Sequence, residues 1–315
     1  MARCDHSVCR GRADLAHRRD PRVSGRIDPA VRGGWDNQAF LVTRMVPGEA
    51  LARREPMTEE WVFRFPRREV AAPLLVNELA VLPRIAPNLP LPIPVPTLRG
   101  GPTGSYPWVF AGYRKLAGHT ACSLSLRDPS RARLARPLGL FLRALHSVPT
   151  TPLREIGLPG DELARLVLSH RLPQLEERVH VAHTKGLVTD PASILAAAHE
   201  TARAHYIPRT DVLVHGDLYA RHLLVDDSGD LSGVIDWGDI HAGDAAQDLG
   251  LVVGFLPPSA RREFVRAYGA VSEDAWAFAR LRALLLAVAI LLYGDDTGDA
   301  ALVHEGRTGL TYALS

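Results

Sequence analysis

Leu213-Val-His-Gly-Asp-Leu-Tyr-Ala-Arg-His-Leu-Leu-Val225, followed by Ile235-Asp-Trp-Gly-Asp239, gathers carboxylates and imidazoles on what reads as a short hairpin. Apolar Val212 to Val214 predict a strand, Gly216 lets the backbone turn sharply, and Asp217 is presented where that strand ends. After His222, Leu223 to Val225 predict a second strand, Asp226-Asp-Ser-Gly-Asp230 a turn, and Leu231 to Ile235 a strand running back. Asp236 is therefore expected close to His222. Phosphoryl transfer needs one carboxylate to orient an attacking hydroxyl and another to hold magnesium on nucleotide phosphates. Asp217 and Asp236 suit those two tasks.

This run resembles the aminoglycoside phosphotransferase family, relatives of choline kinase and the protein kinases, whose pattern is H-G-D-x-x-x-x-N followed by I-D-x-G-D. The chain departs at one letter, carrying His222 where the family has Asn, and a hard cation prefers oxygen to imidazole nitrogen. The resemblance implies an α+β, two-lobed protein-kinase-like fold, with an N-terminal antiparallel sheet lobe and a mostly helical C-terminal lobe. It assigns Asp217 as the catalytic base, His215 as support for the catalytic loop, Asp236 and His222 as metal contacts, and Asp239 as further support of the metal site. Asp244 and Asp248, in Gly243-Asp-Ala-Ala-Gln-Asp-Leu249, match the family's G-D-x-x-x-D-L segment, with Asp248 expected to hold the catalytic loop rigid.

The 315 residues suffice for one large domain or two lobes, and 46% hydrophobic content can fill a sizeable core. A net charge of +2 supplies no general basic field, so neither nucleic acid nor an anionic membrane is expected as a partner. No apolar run reaches the ~20 residues of a membrane span, and Leu281 to Leu292 reads as a buried helix. Cys4, Cys9 and Cys122 are too few and too scattered for a disulfide framework, which points to a cytoplasmic setting. Nothing in the sequence speaks to oligomeric state.

Three segments follow from patterning: an Arg-rich arm at 1–26, a nucleotide lobe at 27–117 and a catalytic helical lobe at 118–315. In the nucleotide lobe, Gly33-Gly34 lead into an apolar strand reaching Val42, and Trp61-Val-Phe-Arg-Phe65 predicts its hairpin partner, with Thr43 to Glu60 as a loose excursion. Glu69 to Ala86 reads as a helix, with Leu74, Leu75, Leu79 and Leu82 at helical spacing. Pro90 to Pro96 alternate prolines with apolar residues as an extended connector, and Trp108 to Leu116 predicts a strand leading to the lobe boundary. Beyond it, Asp128-Pro129, Asp190-Pro191, Pro258-Ser259 and Ser272-Glu273 read as helix starts.

Lys115 and Lys185 are the only lysines, so the cation that kinases place on a strand against the nucleotide phosphates must here be an arginine. Arg64 stands at the matching place, and guanidinium can serve phosphate oxygens bidentately. By the same resemblance Glu78 orients that cation, Gly33 and Gly34 approach the phosphates, and the Arg114 to Leu116 backbone reads a purine edge. The implied donor is ATP or GTP with Mg2+, and the implied partner is a small-molecule hydroxyl acceptor. Aminoglycosides and then macrolides are the acceptors the wider family suggests. Asp161, Glu162, Asp295, Asp296 and Asp299 are candidates to meet a polycation. Two other readings compete: a non-catalytic nucleotide-binding pseudokinase, suggested by Arg64 and His222, and a metal-dependent phosphohydrolase using His215, Asp217, His222, Asp236, Asp239 and His241.

Overall fold

The computed structural model describes residues 25–28, 36–46 and 57–315. These fall into two compact units that divide at Leu116/Ala117, with Pro87–Pro92 belonging to the second.

The first unit is built on an antiparallel five-stranded sheet, ordered β1 (Gly25–Asp28), β2 (Asn37–Val46), β3 (Met57–Pro66), β5 (Phe110–Arg114), β4 (Leu98–Gly100). Strand β1 pairs with β2 from Gly25↔Arg44, so regular structure begins inside the segment expected as an arm. An edge strand is held by its backbone ladder, and Arg-rich composition gives no sign of it. The β2–β3 ladder runs to Val46↔Met57, which takes Thr43–Val46 and Met57–Glu60 out of the expected loose excursion. Main-chain pairing continues there through a mixed stretch, Thr-Arg-Met-Val against Met-Thr-Glu-Glu, that lacks regular apolar alternation.

Alternation along β3 turns Phe63 and Phe65 to one face and Arg64 to the other. The two phenylalanines join Phe40, Val42, Tyr106 and Phe110 in the core, with Phe65 stacked on Phe110 at 4.6 Å and edge-on to Phe40 at 5.5 Å. Tyr106 is wholly inside because its hydroxyl finds the Pro66 carbonyl oxygen at 2.9 Å. Helix α1 (Ala72–Ile85) buries Leu75, Glu78, Leu82 and Ile85 as one stripe. That stripe differs from the expected leucine face: Leu74 and Leu79 are half-buried, and a glutamate occupies the inward position.

The second unit is mostly helical. Its helices are α2 (Asp128–Arg133), α3 (Ala135–His146), α4 (Thr151–Arg154), α5 (Leu168–Thr184), α6 (Pro191–Glu200), α7 (Ala246–Phe255), α8 (Arg261–Tyr268), α9 (Glu273–Thr297) and α10 (Ala300–Ala313). Two small sheets carry the segments that flank Asp217 and Asp236: β7 (Val212–Val214) pairs with β10 (His241–Gly243), and β8 (Leu223–Val225) lies between β6 (His119–Thr120) and β9 (Leu231–Val234). Leu134, Leu138, Phe141, Leu142 and Leu145 are fully buried on the predicted face. Asp190 and Ser272 cap their helices, at 3.1 Å from the Ser193 N–H and 3.2 Å from the Ala275 N–H. Asp128 instead sits in the first turn of α2 and accepts from the Tyr312 hydroxyl.

Helix α9 runs 25 residues, beyond the Leu281 to Leu292 run, and by length and composition alone could cross a bilayer. It packs along α7 and α10 and carries the buried Arg282 within its apolar stretch, as a core helix does.

Candidate active site

Strand β7 delivers His215, Gly216 and Asp217 to the end of the β7–β10 ladder, where Val214 pairs with His241. Gly216 has φ +84°, and a Cβ there would lie 2.5 Å from the Asp239 carbonyl oxygen, so the turn requires glycine on both counts. Asp248, fully buried on α7, accepts the His215 N–H at 2.8 Å and the Gly216 N–H at 2.9 Å. His146 Nε2 lies 3.1 Å from the same carboxylate. Burial pushes the Asp248 carboxyl up, but hydrogen bonding and charge from His146, with the Gly216 N–H, hold it below the ordinary carboxylate range. The loop backbone is thus clamped by a buried anion.

The hairpin then closes on itself. The Ile235 N–H donates to the His222 carbonyl oxygen at 2.9 Å, returning the chain so that Asp236 Oδ2 stands 3.4 Å from His222 Nε2. His222 Nδ1 donates to the Asp217 carbonyl oxygen at 2.7 Å, which fixes the ring's tautomer and aims Nε2 at Asp236. Burial pulls the His222 imidazole down, but the neighbouring Asp236 carboxylate outweighs it and holds the group above its ordinary value. Asp236 adopts φ +65°, a left-handed conformation that aspartate tolerates better than most residues. Its side chain is about half exposed, and that of Asp217 is 36% exposed.

His215 is fully buried, its Nε2 donating to the Ile235 carbonyl oxygen at 3.0 Å. Burial holds it below its ordinary value, so it is a neutral brace between the strands. His241 is buried too, with Nδ1 2.7 Å from the Asp239 carbonyl oxygen. Both imidazoles are committed to backbone, and among the described residues no group of three His, Cys, Asp or Glu side chains is placed to hold a metal ion.

Asp239 is engaged by a cation that sequence reasoning passed over. Buried Arg165 donates to its Oδ1 and also to Asp161 Oδ1 at 2.8 Å. Burial, with the nearby Asp217 charge, pushes the Asp239 carboxyl up in spite of Arg165.

Within the first unit, buried Arg64 Nη1 donates to Glu78 Oε2 at 2.6 Å, so the inward glutamate of α1 meets the β3 arginine. Arg114 is exposed, paired with Glu59 at 2.7 Å and lying 5.6 Å from the centre of the Trp61 ring, while Leu116 is half-buried. Gly33 and Gly34 lie outside the described residues.

The acidic residues considered for a polycation are largely engaged within the protein. Asp161 pairs with Arg165, Asp295 and Asp296 with Lys185 at 2.7 and 2.6 Å, and Asp299 with Arg221 at 3.3 Å. Glu162 is exposed. Arg282, buried on α9, also reaches the catalytic segment, and its one legible sign was a charge inside an apolar run. Arg165 left no such sign.

The same order of elements recurs in known proteins. Aminoglycoside 2'-phosphotransferase-IIIa, solved as its GDP complex, superposes with a TM-score of 0.65 at 23% identity, covering 96% of this chain and 97% of that one. A macrolide 2'-phosphotransferase of type I gives 0.62 at 22% identity over the full length of both chains. The macrolide 2'-phosphotransferase MphH from Brachybacterium faecium gives 0.56 at 20%, covering 92% and 91%. An uncharacterized protein of Bacillus subtilis (strain 168), YcbJ, is 29% identical over 72 residues, which span 23% of this chain and 24% of that protein's length. The pattern of the phosphotransferase enzyme family matches residues 29–284. With its antiparallel sheet unit, its helical unit and this match across most of its length, the chain belongs to the phosphotransferase enzyme family and has its protein-kinase-like fold.

Proposed function

We propose that this protein transfers the γ-phosphate of ATP or GTP to a hydroxyl of a small molecule, with Asp217 as the base. The observation that carries this reading is the hairpin closure, which sets Asp236 3.4 Å from His222 while leaving the Asp217 carboxylate partly exposed on a clamped loop. In this scheme Asp217 accepts the hydrogen bond of the acceptor hydroxyl and takes its proton as the oxygen attacks phosphorus. Asp248 and His215 hold the loop, so little reorganisation accompanies that attack. Arg64, set by Glu78, is the cation for the nucleotide phosphates, and Gly33, Gly34 and the Arg114 to Leu116 backbone are proposed further nucleotide contacts.

Asp236 suits a magnesium ion, which is commonly held by one or two carboxylates with substrate phosphates and water. His222 Nε2 would stand beside it as a borderline ligand, and Asp239 would support the site through its second oxygen. When bound, the ion neutralises charge on the phosphates.

For the acceptor, Asp161, Asp295, Asp296 and Asp299 are paired with Arg165, Lys185 and Arg221, while Glu162 is exposed. Aminoglycosides stand first as acceptors and macrolides second, with sugars and amino alcohols behind them. The deciding experiment incubates the protein with Mg2+, ATP or GTP and a panel of macrolides, aminoglycosides, sugars and amino alcohols, then seeks a phosphorylated product by mass spectrometry. Nucleotide affinity with no product from any acceptor would favour the pseudokinase reading, for which His222 and Arg64 are the supporting features.

A further inference from the structure

Arg282 lies on α9, far in sequence from the catalytic hairpin, and its guanidinium ends at the hairpin's turn. Nη2 donates to the Gly216 carbonyl oxygen at 3.0 Å and lies 3.4 Å from Asp217 Oδ1. The residue is 9% exposed, so this cation is largely withdrawn from water and its contacts are not screened as surface pairs are. The route it takes is built for it. A Cβ on Gly250 of α7 would lie 2.8 Å from Arg282 Cγ and 3.0 Å from its Cβ, so only glycine lets the side-chain stem cross α7.

The Gly216 peptide is consequently held at both ends. Its N–H donates to Asp248, and its carbonyl oxygen accepts from Arg282 Nη2. The carboxylate of the next residue is contacted at one oxygen by the same guanidinium nitrogen, while the Asp217 side chain as a whole stays 36% exposed. A carboxylate attached to a pinned peptide, with one oxygen engaged by a buried cation, has few orientations left for the other.

We propose that Arg282 is a positioning residue that locks the Gly216 peptide and the Asp217 carboxylate into the orientation that receives the acceptor hydroxyl. This rests on the reading of Asp217 as the base. Glycine at 250 belongs to the same device, as clearance for the arginine stem. The role assigned to Arg282 runs through Asp217 alone, so its loss is expected to act on turnover and not on nucleotide binding.

The test compares Arg282→Lys, Arg282→Met and Asp217→Asn, with thermal unfolding recorded to confirm folding. Misplacing the base costs about 10- to 100-fold in kcat for Arg282→Met, with nucleotide KM within about twofold. Arg282→Lys, which keeps a cation on a long stem, recovers part of that loss. In the Asp217→Asn background, Arg282→Met adds no further loss, since both act through one carboxylate. Full turnover in Arg282→Met, a matching rise in nucleotide KM, or multiplicative losses in the double variant would overturn the positioning role while leaving the base intact. Retained turnover in Asp217→Asn would instead overturn the reading of Asp217, whatever Arg282 does. Should Arg282→Met fail to fold, the comparison is carried by Arg282→Lys: a lowered kcat at unchanged KM supports the role, and wild-type kcat overturns it.

Discussion

His222 Nε2 faces Asp236 Oδ2 across 3.4 Å, and the histidine's other nitrogen is spent on the Asp217 carbonyl oxygen. The imidazole thus stands beside Asp236 at the position where the H-G-D-x-x-x-x-N pattern carries asparagine. Oxygen suits Mg2+ better than nitrogen does. His222→Asn is expected to preserve or improve magnesium-supported turnover, with half-saturation at equal or lower Mg2+. A magnesium titration of initial rates checks this, and complete loss of activity would show that the imidazole has another role.

Asp217→Asn removes the proposed proton acceptor while keeping the side chain's shape. General base catalysis contributes about 10²- to 10⁴-fold, so turnover should fall by that order or become undetectable. Nucleotide affinity, measured by calorimetry, should remain nearly unchanged because no nucleotide contact is assigned to this carboxylate.

The Arg64–Glu78 pair is buried, so its two members are not equivalent to a surface ion pair. Replacing Arg64 by Met takes the cation from a buried glutamate, a change that costs about 3–5 kcal/mol in comparable sites. Urea unfolding should register that loss. Arg64→Lys restores the charge without the fork, and is expected to recover most of the stability while raising nucleotide KM.

Asp248 ties loop geometry to acid stability. Its native carboxyl lies below the ordinary range, so the unfolded chain takes up the proton first as pH falls. The stability it contributes is therefore complete above the ordinary carboxylate pKa and is lost as pH descends through the native value. Asp248→Asn should lower the urea midpoint at neutral pH, by about 3–5 kcal/mol in free energy for a broken buried network, and flatten the fall in stability toward acid. A variant as stable as wild type at pH 7 would contradict the clamp.

Several features were legible because they are local. The Val212–Val214 strand, the turn at Gly216 and the hairpin through Asp226 to Asp230 depend on neighbours a few residues apart, and alternation and turn residues report them directly. The caps at Asp190 and Ser272 were legible for the same reason. Asp128, chosen by the same rule, proved to sit inside its helix, since position within the first turn is settled by what the residue meets, here Tyr312.

The partners of charged residues were settled only by the fold. Arg131, wholly buried, forms a two-pronged pair with Glu305 at 2.7 and 2.6 Å across 174 positions, and no periodicity marks either residue. Arg165 joins Asp161 to Asp239 in the same way, which ties one expected acceptor acid to an expected support of the metal site. Sequence alone determined the catalytic hairpin, the family resemblance and the missing lysine, because each is a matter of residue type at short spacing. Tertiary structure alone decided which arginines neutralise which carboxylates and that Arg282 reaches Asp217, because a long side chain buried among distant helices finds its partner only once those helices have packed.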